Sequence, residues 1–159
     1  MTEPSFDESA AHRWFAVELN NRAWDLLQSS ERSETDTEDM LSAAHGSRYH
    51  WLRVGSIANH ARGACLVANV HSEIGEEHPA LRHAERCIQL IESHPGEMAD
   101  WDYAFAYDAM ARALAAAGRQ GEARGFKGKA RRSADRIADP QDKEIFDQWF
   151  ASGNWHGLE

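Results

Sequence analysis

Nine histidines are the residues best suited to metal binding or acid–base chemistry in this sequence. Their spacing disfavours a site built on a single helix. His45 and His50 are five residues apart, which is about 140° around a helix, so their side chains face apart. His60 and His71 share a face, but they are separated by about 16 Å along the helix axis. We therefore expect no metal and no other cofactor, unless histidines from different helices converge.

A glycine-rich run, Gly121 to Lys129, is superficially similar to a phosphate-binding loop. It lacks the Gly-x-x-x-x-Gly-Lys-Ser/Thr spacing, and Ala130 stands where a metal-binding hydroxyl is needed. We interpret Gly125 and Gly128 as helix residues that permit close packing, each at a cost of about 1 kcal/mol relative to alanine. The chain also lacks the Gly-x-Ser-x-Gly elbow of hydrolases. The sequence therefore predicts no catalytic residues and favours a protein that is not an enzyme.

A mixed polar and aromatic stripe is formed by His45, Arg48, Tyr49 and Leu52, which are spaced i, i+3, i+4 and i+7. We favour packing of this stripe against a neighbouring helix, with its hydrogen bonds satisfied. The alternative is a small-ligand or metal-binding sensor or enzyme, with a pocket between the N-terminal helix pair and the third helix. That pocket would use His45, Arg48, His50 and His60.

Composition places these residues in one helical domain spanning 1–159. Apolar residues make up 42% and charged residues 27% of the chain, as in ordinary globular proteins. Runs of β-branched residues are scarce, which disfavours a sheet. The net charge of −9 argues against nucleic acid or an anionic membrane as a partner.

Cysteine usage and hydropathy bear on location. Cys65 and Cys87 are the only cysteines, too few for a disulfide framework or a four-cysteine zinc site, so we expect reduced, buried thiols. Residues Met1 to Ala10 lack the apolar segment of a signal peptide. No apolar run is longer than the five residues of Ala113 to Ala117, which is too short to cross a bilayer. These features predict a cytoplasmic protein.

Helical periodicity and capping signals predict seven helices. Thr35 and Glu38 have the spacing of a capping box, and we expect N-caps at Ser56 and Asp100. Pro79 is expected at the first position of the fourth helix. After the seventh helix, the tail 151–159 is expected to be loose, with Trp155 as its one docking residue. The expected helices run over 10–28, 36–55, 57–74, 78–93, 101–117, 120–138 and 140–150.

An internal repeat pairs four small residues with four others 43 positions later in the chain. Two helices pack closely only where side chains are short, and a glycine permits the turn between them. The repeat therefore predicts two equivalent helix pairs, 57–93 and 100–138, between an atypical N-terminal pair, 10–55, and a capping helix, 140–150. The matched residues are Ala68, Gly75, Ala80 and Cys87 with Ala111, Gly118, Ala123 and Ala130.

This pattern resembles the tetratricopeptide repeat over Ala61 to about Ser133. The blocks Ala43 to Trp51 and Asn59 to Gly63 also look like an uncharacterised bacterial family of that fold. The resemblance implies an all-α fold, with antiparallel helix pairs stacked as a short right-handed superhelix. It also implies a concave groove, lined by Arg62, Cys65 and Asn69 in the first copy and by Phe105, Asp108 and Arg112 in the second.

A groove of this kind implies a non-catalytic scaffold that binds an unidentified protein or peptide. Arg62 and Arg112 would pair with acidic groups, while Trp101, Tyr103 and Phe105 would supply apolar anchors. We expect Arg62, Asn69, Asp108 and Arg112 to line one continuous surface, with Asp108 and Arg112 as an exposed pair.

Charge segregation suggests a third interpretation, a self-association module that forms a homodimer. Residues Arg119 to Arg136 include seven basic and two acidic side chains. Residues Met1 to Asp39 include three basic and ten acidic ones. Opposite charges at the two ends of a chain would suit head-to-tail or antiparallel pairing, although such runs are usually solvated faces.

Overall fold

The computed structural model describes residues 2–159, and within that range the protein is all-helical with no strand. Consecutive helices pack as pairs, α1 with α2, α3 with α4, and α5 with α6, and α3 packs against α5. This confirms the predicted all-α stack of antiparallel helix pairs. The helices are α1 Glu8–Gln28, α2 Glu34–Val54, α3 Ile57–Glu73, α4 Glu77–Ser93, α5 Asp100–Ala116, α6 Gln120–Ala134 and α7 Pro140–Phe150, with a 3-10 turn at Pro95–Glu97.

The 43-residue repeat is visible in the helix boundaries themselves. Helices α5 and α6 begin 43 positions after α3 and α4, and α5 ends 43 positions after α3. Gly75 and Gly118 both have positive φ, 80° and 73°, at the turn within each pair. The alanines and the cysteine at the repeat positions are buried, including Ala68, Ala80 and Ala123 at 0% exposure, whereas the two turn glycines are exposed. Close packing of short side chains therefore shapes both pairs alike.

The N-terminal start of α2 differs from the prediction. Ser33, not Thr35, is the N-cap, and its hydroxyl accepts from the Asp36 backbone at 3.1 Å. The Asp36 carboxylate accepts from the Ser33 backbone in return at 3.0 Å, which completes the capping box. A shorter acid can close the box as well as the glutamate expected at Glu38, so the helix begins two residues early.

Two further caps also differ. Helix α4 begins at Glu77, so Pro79 is its third residue, where its missing N–H is still harmless. Asp100 is the first residue of α5 rather than its cap, and its carboxylate accepts from the Ala138 backbone at 2.9 Å. The predicted cap of α3, Ser56, is confirmed, and Asp139 caps α7.

Helix α6 ends at Ala134 rather than Ala138, and the chain then turns into α7, which packs on α5 and α6.

The prediction of a loose tail is wrong. Beyond α7 the tail docks on the end of α3. Asn154 donates from its backbone to Glu73 Oε2 at 2.8 Å, and the His156 ring donates to the Ser72 carbonyl at 2.6 Å. Leu158 is 5% exposed, so apolar burial also holds the tail.

Among residues 2–159, no helix has both the length and the apolar character needed to cross a membrane.

Candidate functional site

A cavity of about 530 Å³ lies between α1, α3, α4, α5 and α7. Ligand sites for small molecules or anchoring side chains usually fall within a few hundred to a thousand Å³. Most of its lining is apolar, and its polar groups come from only a few residues. The lining residues are Asn20, Asn21, Trp24, Gln28, Ala61, Arg62, Cys65, Cys87, Ile91, Trp101, Asp102, Phe105, Asp142, Ile145 and Trp149.

Four aromatic side chains from three helices line this cavity, and they meet edge to face. Trp24 of α1 contacts Phe105 of α5 and Trp149 of α7, with ring centroids 6.4 and 5.1 Å apart. Trp101 meets Phe105 at 5.9 Å, four residues earlier on the same helix. Edge-to-face pairs at these distances are favourable and hold each ring in place. The cavity therefore has rigid apolar walls.

An ion pair joins α3 to α5 at the cavity. Arg62 donates to both carboxylate oxygens of Asp102, at 2.8 and 2.9 Å, and its guanidinium lies 4.3 Å from the centre of the Trp101 ring. Asp102 is buried and also accepts from the Ala99 backbone at 2.8 Å. The Arg62 side chain is 36% exposed. A ligand could therefore reach Arg62 while Asp102 stays fixed.

Two thiols form the floor of the cavity. Cys65 donates to the Phe105 carbonyl at 3.6 Å and accepts from the Asn69 amide at 3.7 Å. The adjacent Cys87 thiol, and then burial, raise the pKa of the Cys65 thiol well above its ordinary value. A nucleophilic cysteine needs a lowered pKa. Cys65 is therefore a packing group, and both cysteines are free and buried, as the sequence predicts.

Deeper in the stack, a second arginine is fully enclosed. Arg112 donates to Asp108 at 2.9 Å, to the Trp149 carbonyl at 3.0 Å and to the Ser152 carbonyl at 2.9 Å. Its guanidinium lies between the rings of Trp149 and Trp155, 4.2 and 4.1 Å from their centres. Burial raises the pKa of Asp108, against the opposing effect of Arg112. This cluster joins α5 to α7 and the tail.

The predicted continuous surface of Arg62, Asn69, Asp108 and Arg112 is therefore wrong. Asn69, Asp108 and Arg112 are at most 1% exposed, and only Arg62 reaches the cavity. The prediction treated α7 as a cap on the end of the stack. Instead, α7 and the tail cover the part of this surface around Arg112 and accept hydrogen bonds from it. The expected weak, exposed pair of Asp108 and Arg112 is a buried one.

Of the predicted aromatic anchors, two line the cavity and one does not. Phe105 and Trp101 line the cavity, whereas Tyr103 does not and packs against the core instead. Two residues along a helix are about 200° apart, so Tyr103 faces away from its neighbours.

The alternative pocket of His45, Arg48, His50 and His60 is not assembled. His50 contacts His12 of α1, with their Nδ1 atoms 2.7 Å apart, and His60 donates to the Trp51 carbonyl at 3.0 Å. His45 turns the other way, towards His71 of α3, with their Nε2 atoms 2.9 Å apart. In residues 2–159, no group of three or more His, Cys, Asp or Glu side chains has the geometry to hold a metal.

Several cavity residues were missed from the sequence. Trp24 and Trp149 lie on the apolar faces of α1 and α7, where an aromatic residue reads as ordinary core. Asp102 reads as a first-turn helix acid, and its pairing with Arg62 depends on the α3–α5 contact. The one usable signal in the sequence was the four-residue spacing of Trp101 and Phe105, which predicts that they share a helix face.

No protein-family model matches this chain, and no curated protein or solved structure matches it.

Proposed function

We propose that this protein is a non-catalytic binding scaffold, whose aromatic cavity takes an apolar side chain or short segment of a protein partner. The observation that carries the proposal is the cavity of about 530 Å³ between α1, α3, α4, α5 and α7. Rigid aromatic pockets that exclude water are where protein interfaces concentrate their binding energy. Trp24, Trp101 and Phe105 supply such walls.

Arg62 supports a polar contact at the rim of this cavity. Its guanidinium is held by Asp102, yet a third of the side chain is accessible. A partner's carboxylate or backbone carbonyl could accept from the remaining guanidinium N–H groups, since the planar fork has five. The expected ligand is thus an apolar anchor with an acceptor beside it.

The chemistry of the cavity supports a binding role over catalysis. Of its two carboxylates, Asp102 and Asp142, the first is engaged by Arg62, and the pKa of its Cys65 thiol is raised rather than lowered. We also propose that the stack is related to tetratricopeptide repeats, which is supported by the 43-residue repeat of helix boundaries. A cytoplasmic location is proposed as well, supported by two unpaired, buried cysteines.

Selection of random peptides displayed on phage against the full chain tests this proposal. We expect selected peptides to share an aromatic or large aliphatic residue. Their affinity, measured by calorimetry, should fall at least about tenfold in Trp101→Ala because an anchor wall is lost. Ile145→Arg should weaken them as well, since Ile145 lines the cavity and is 51% exposed, so the fold tolerates the change.

Trp14→Ala is the matched control. Trp14 is another tryptophan, 58% exposed on α1 and outside the cavity lining. Its substitution should leave peptide affinity unchanged. Equal loss in Trp14→Ala and Trp101→Ala, or no loss in either cavity variant, would place peptide binding elsewhere and overturn the proposal.

A small molecule is the second candidate occupant, favoured by the volume of the cavity. Native mass spectrometry of the purified protein separates the two. An adduct of constant mass in the wild type that disappears in Ile145→Arg supports a small ligand. A bare chain with peptides selected as above supports the protein partner, and a clean dimer of bare chains supports self-association.

A further inference from the structure

A cluster of basic side chains lies where α2, α3 and α4 meet, away from the cavity. His45 and Arg48 come from α2, and His71 comes from α3. His83 of α4 has its ring centre 5.8 Å from that of His45 and 6.4 Å from that of His71. None of these residues lines the cavity of the proposed function.

The hydrogen bonds of His71 indicate which ring nitrogen carries the proton in its neutral form. Its Nδ1 lies 2.6 Å from Glu76 Oε2 and must donate to that carboxylate. Its Nε2 lies 2.9 Å from His45 Nε2, so in the neutral ring it accepts the His45 proton. His71 and Glu76 therefore satisfy each other, and the single acid beside the cluster is already engaged.

Two other polar atoms of the cluster are left without partners. His83 is 7% exposed, and its Nε2 is buried with no hydrogen bond. Arg48 Nε is also buried without one. Arg48 packs against Gly63 of α3, where an added Cβ would lie 3.4 Å from Arg48 Cγ, an ordinary contact distance. Buried polar atoms are nearly always paired, so two orphans in one cluster indicate a missing ligand.

Positive charge collects at the same place. Arg82 and Arg86 lie four residues apart on α4, on either side of His83, and share a helix face. Within residues 2–159, neither they nor Arg48 form a salt bridge, although the chain carries a net charge of −9. Burial, and then the charges of Arg86 and Arg82, lower the pKa of Arg48.

We propose that Arg48, Arg82, Arg86 and His83 form a binding site for a phosphate group, either free or as a small monoester. A phosphate offers several acceptor oxygens and about two negative charges, which three guanidinium groups can neutralise together. A cation is disfavoured because the same charges repel it. A lone carboxylate would leave two of the three arginines without a counter-charge, whereas a phosphate leaves only one.

Protons should bind with the phosphate. Burial, and then Arg48 and Arg82, lower the pKa of His83 to about 4, so the ring is neutral when the site is empty. An anion opposes those positive charges and raises that pKa. The other ionisable groups facing the ring are His45 and His71, with Glu76 held by His71. Phosphate binding should therefore raise the pKa of His83, while protonation of the phosphate itself below about pH 6 lowers its charge and opposes tighter binding.

Histidine ring resonances measured by NMR at about pH 6.5 provide the test. Titration with inorganic phosphate should shift His83 and His45 saturably and raise the pKa of His83. Sodium chloride at equal ionic strength should not do so, and acetate should act much more weakly. Glycerol 3-phosphate is the second probe. The proposal is supported if one of the two phosphate compounds binds more tightly than the other. The tighter binder shows whether the site prefers the monoester or the free ion.

Arg82→Gln/Arg86→Gln should weaken phosphate binding at least about tenfold, because charge-assisted hydrogen bonds are lost. Both arginines are exposed, so the fold should persist. Arg132→Gln/Arg136→Gln removes two other exposed arginines at the same spacing and should leave binding unchanged. An unshifted His83, equal effects of phosphate and acetate, or equal losses in the two double variants would overturn the site. None of these outcomes bears on the cavity, whose own test uses peptides.

Discussion

Arg62 and Arg112 are both paired with aspartates and stacked on tryptophan, yet they lie in different surroundings. Arg62, on α3, borders an open cavity and keeps a third of its side chain exposed. Arg112, on α5, is 1% exposed, and every nitrogen of its guanidinium donates to a group of the chain itself. Helix α7 and the tail cause this difference, because they cover Arg112 and leave Arg62 partly exposed.

This contrast distinguishes polar groups that only stabilise the fold from polar groups that can still bind a ligand. A buried arginine whose donors are all used by its own chain stabilises the fold and has nothing to offer a ligand. An arginine with spare donors beside an apolar cavity can bind one. The residue type is the same in the two cases, so what distinguishes the two arginines is the partners that surround them.

The largest expected effect is on the enclosed arginine. Arg112→Ala should lower the free energy of unfolding by about 3–5 kcal/mol, because it leaves Asp108 as a buried charge without its partner. Urea denaturation followed by circular dichroism measures this. Arg132→Ala, at an exposed arginine of α6, should change stability by less than about 0.5 kcal/mol. Comparable small losses in both variants would show that Arg112 is not the anchor of α7.

Lowering the pH should destabilise the fold through a second buried group, His83, whose Nε2 has no hydrogen-bond partner. The pKa of His83 is lowered to about 4, so its neutral form stabilises the fold above the unfolded value of about 6.5. That stability, about 3 kcal/mol, is lost as the pH falls from about 6.5 through 4. Chemical denaturation across this range should show the loss, and His83→Phe should reduce it. An unchanged pH dependence in His83→Phe would assign the loss to other groups.

The repeat itself is tested by overpacking. Ala80→Leu and Ala123→Leu should each cost about 1–3 kcal/mol, because both alanines are fully buried where helices approach closely. Thermal and urea unfolding give the values. Ala10→Leu, at an exposed alanine of α1, should be nearly neutral. If only one of the two buried positions responds, the helix pairs are not packed equivalently.

The smallest effect on stability is expected for the open arginine. Arg62→Ala should cost about 1 kcal/mol, because the pair is partly solvated and Asp102 keeps its hydrogen bond from Ala99. Peptides selected on the cavity should nevertheless bind it more weakly. A loss of stability as large as that of Arg112→Ala would remove the contrast between the two arginines.

Most of the fold could be predicted because its determinants are local. Caps such as Ser56, turn glycines such as Gly75 and the spacing of buried alanines are all encoded within a few residues. The path of α7 could not be predicted in this way. Trp149 reads as the apolar residue of a short helix, and nothing nearby in the sequence shows that it packs on Trp24 and accepts from Arg112.

The candidate sites were predicted less well for the same reason. Arg62 and Phe105 were identified because the repeat places them on equivalent helices, but Asn69 was expected to be exposed and is buried. The convergence of His45, His71 and His83 brings together three helices, so no single-helix spacing reveals it. Sites assembled from several elements depend on tertiary contacts that periodicity does not report.

The most direct test of the open cavity uses a neutral apolar dye, N-phenyl-1-naphthylamine, whose fluorescence rises in an apolar environment. The wild-type protein should bind it at one saturable site, with energy transfer from the cavity tryptophans. Ile145→Arg should abolish binding by placing a charge at the cavity, while Val17→Arg, at a 40% exposed apolar residue outside the lining, should not. Dye binding that is absent from the wild type, or equal in the two variants, would contradict the account.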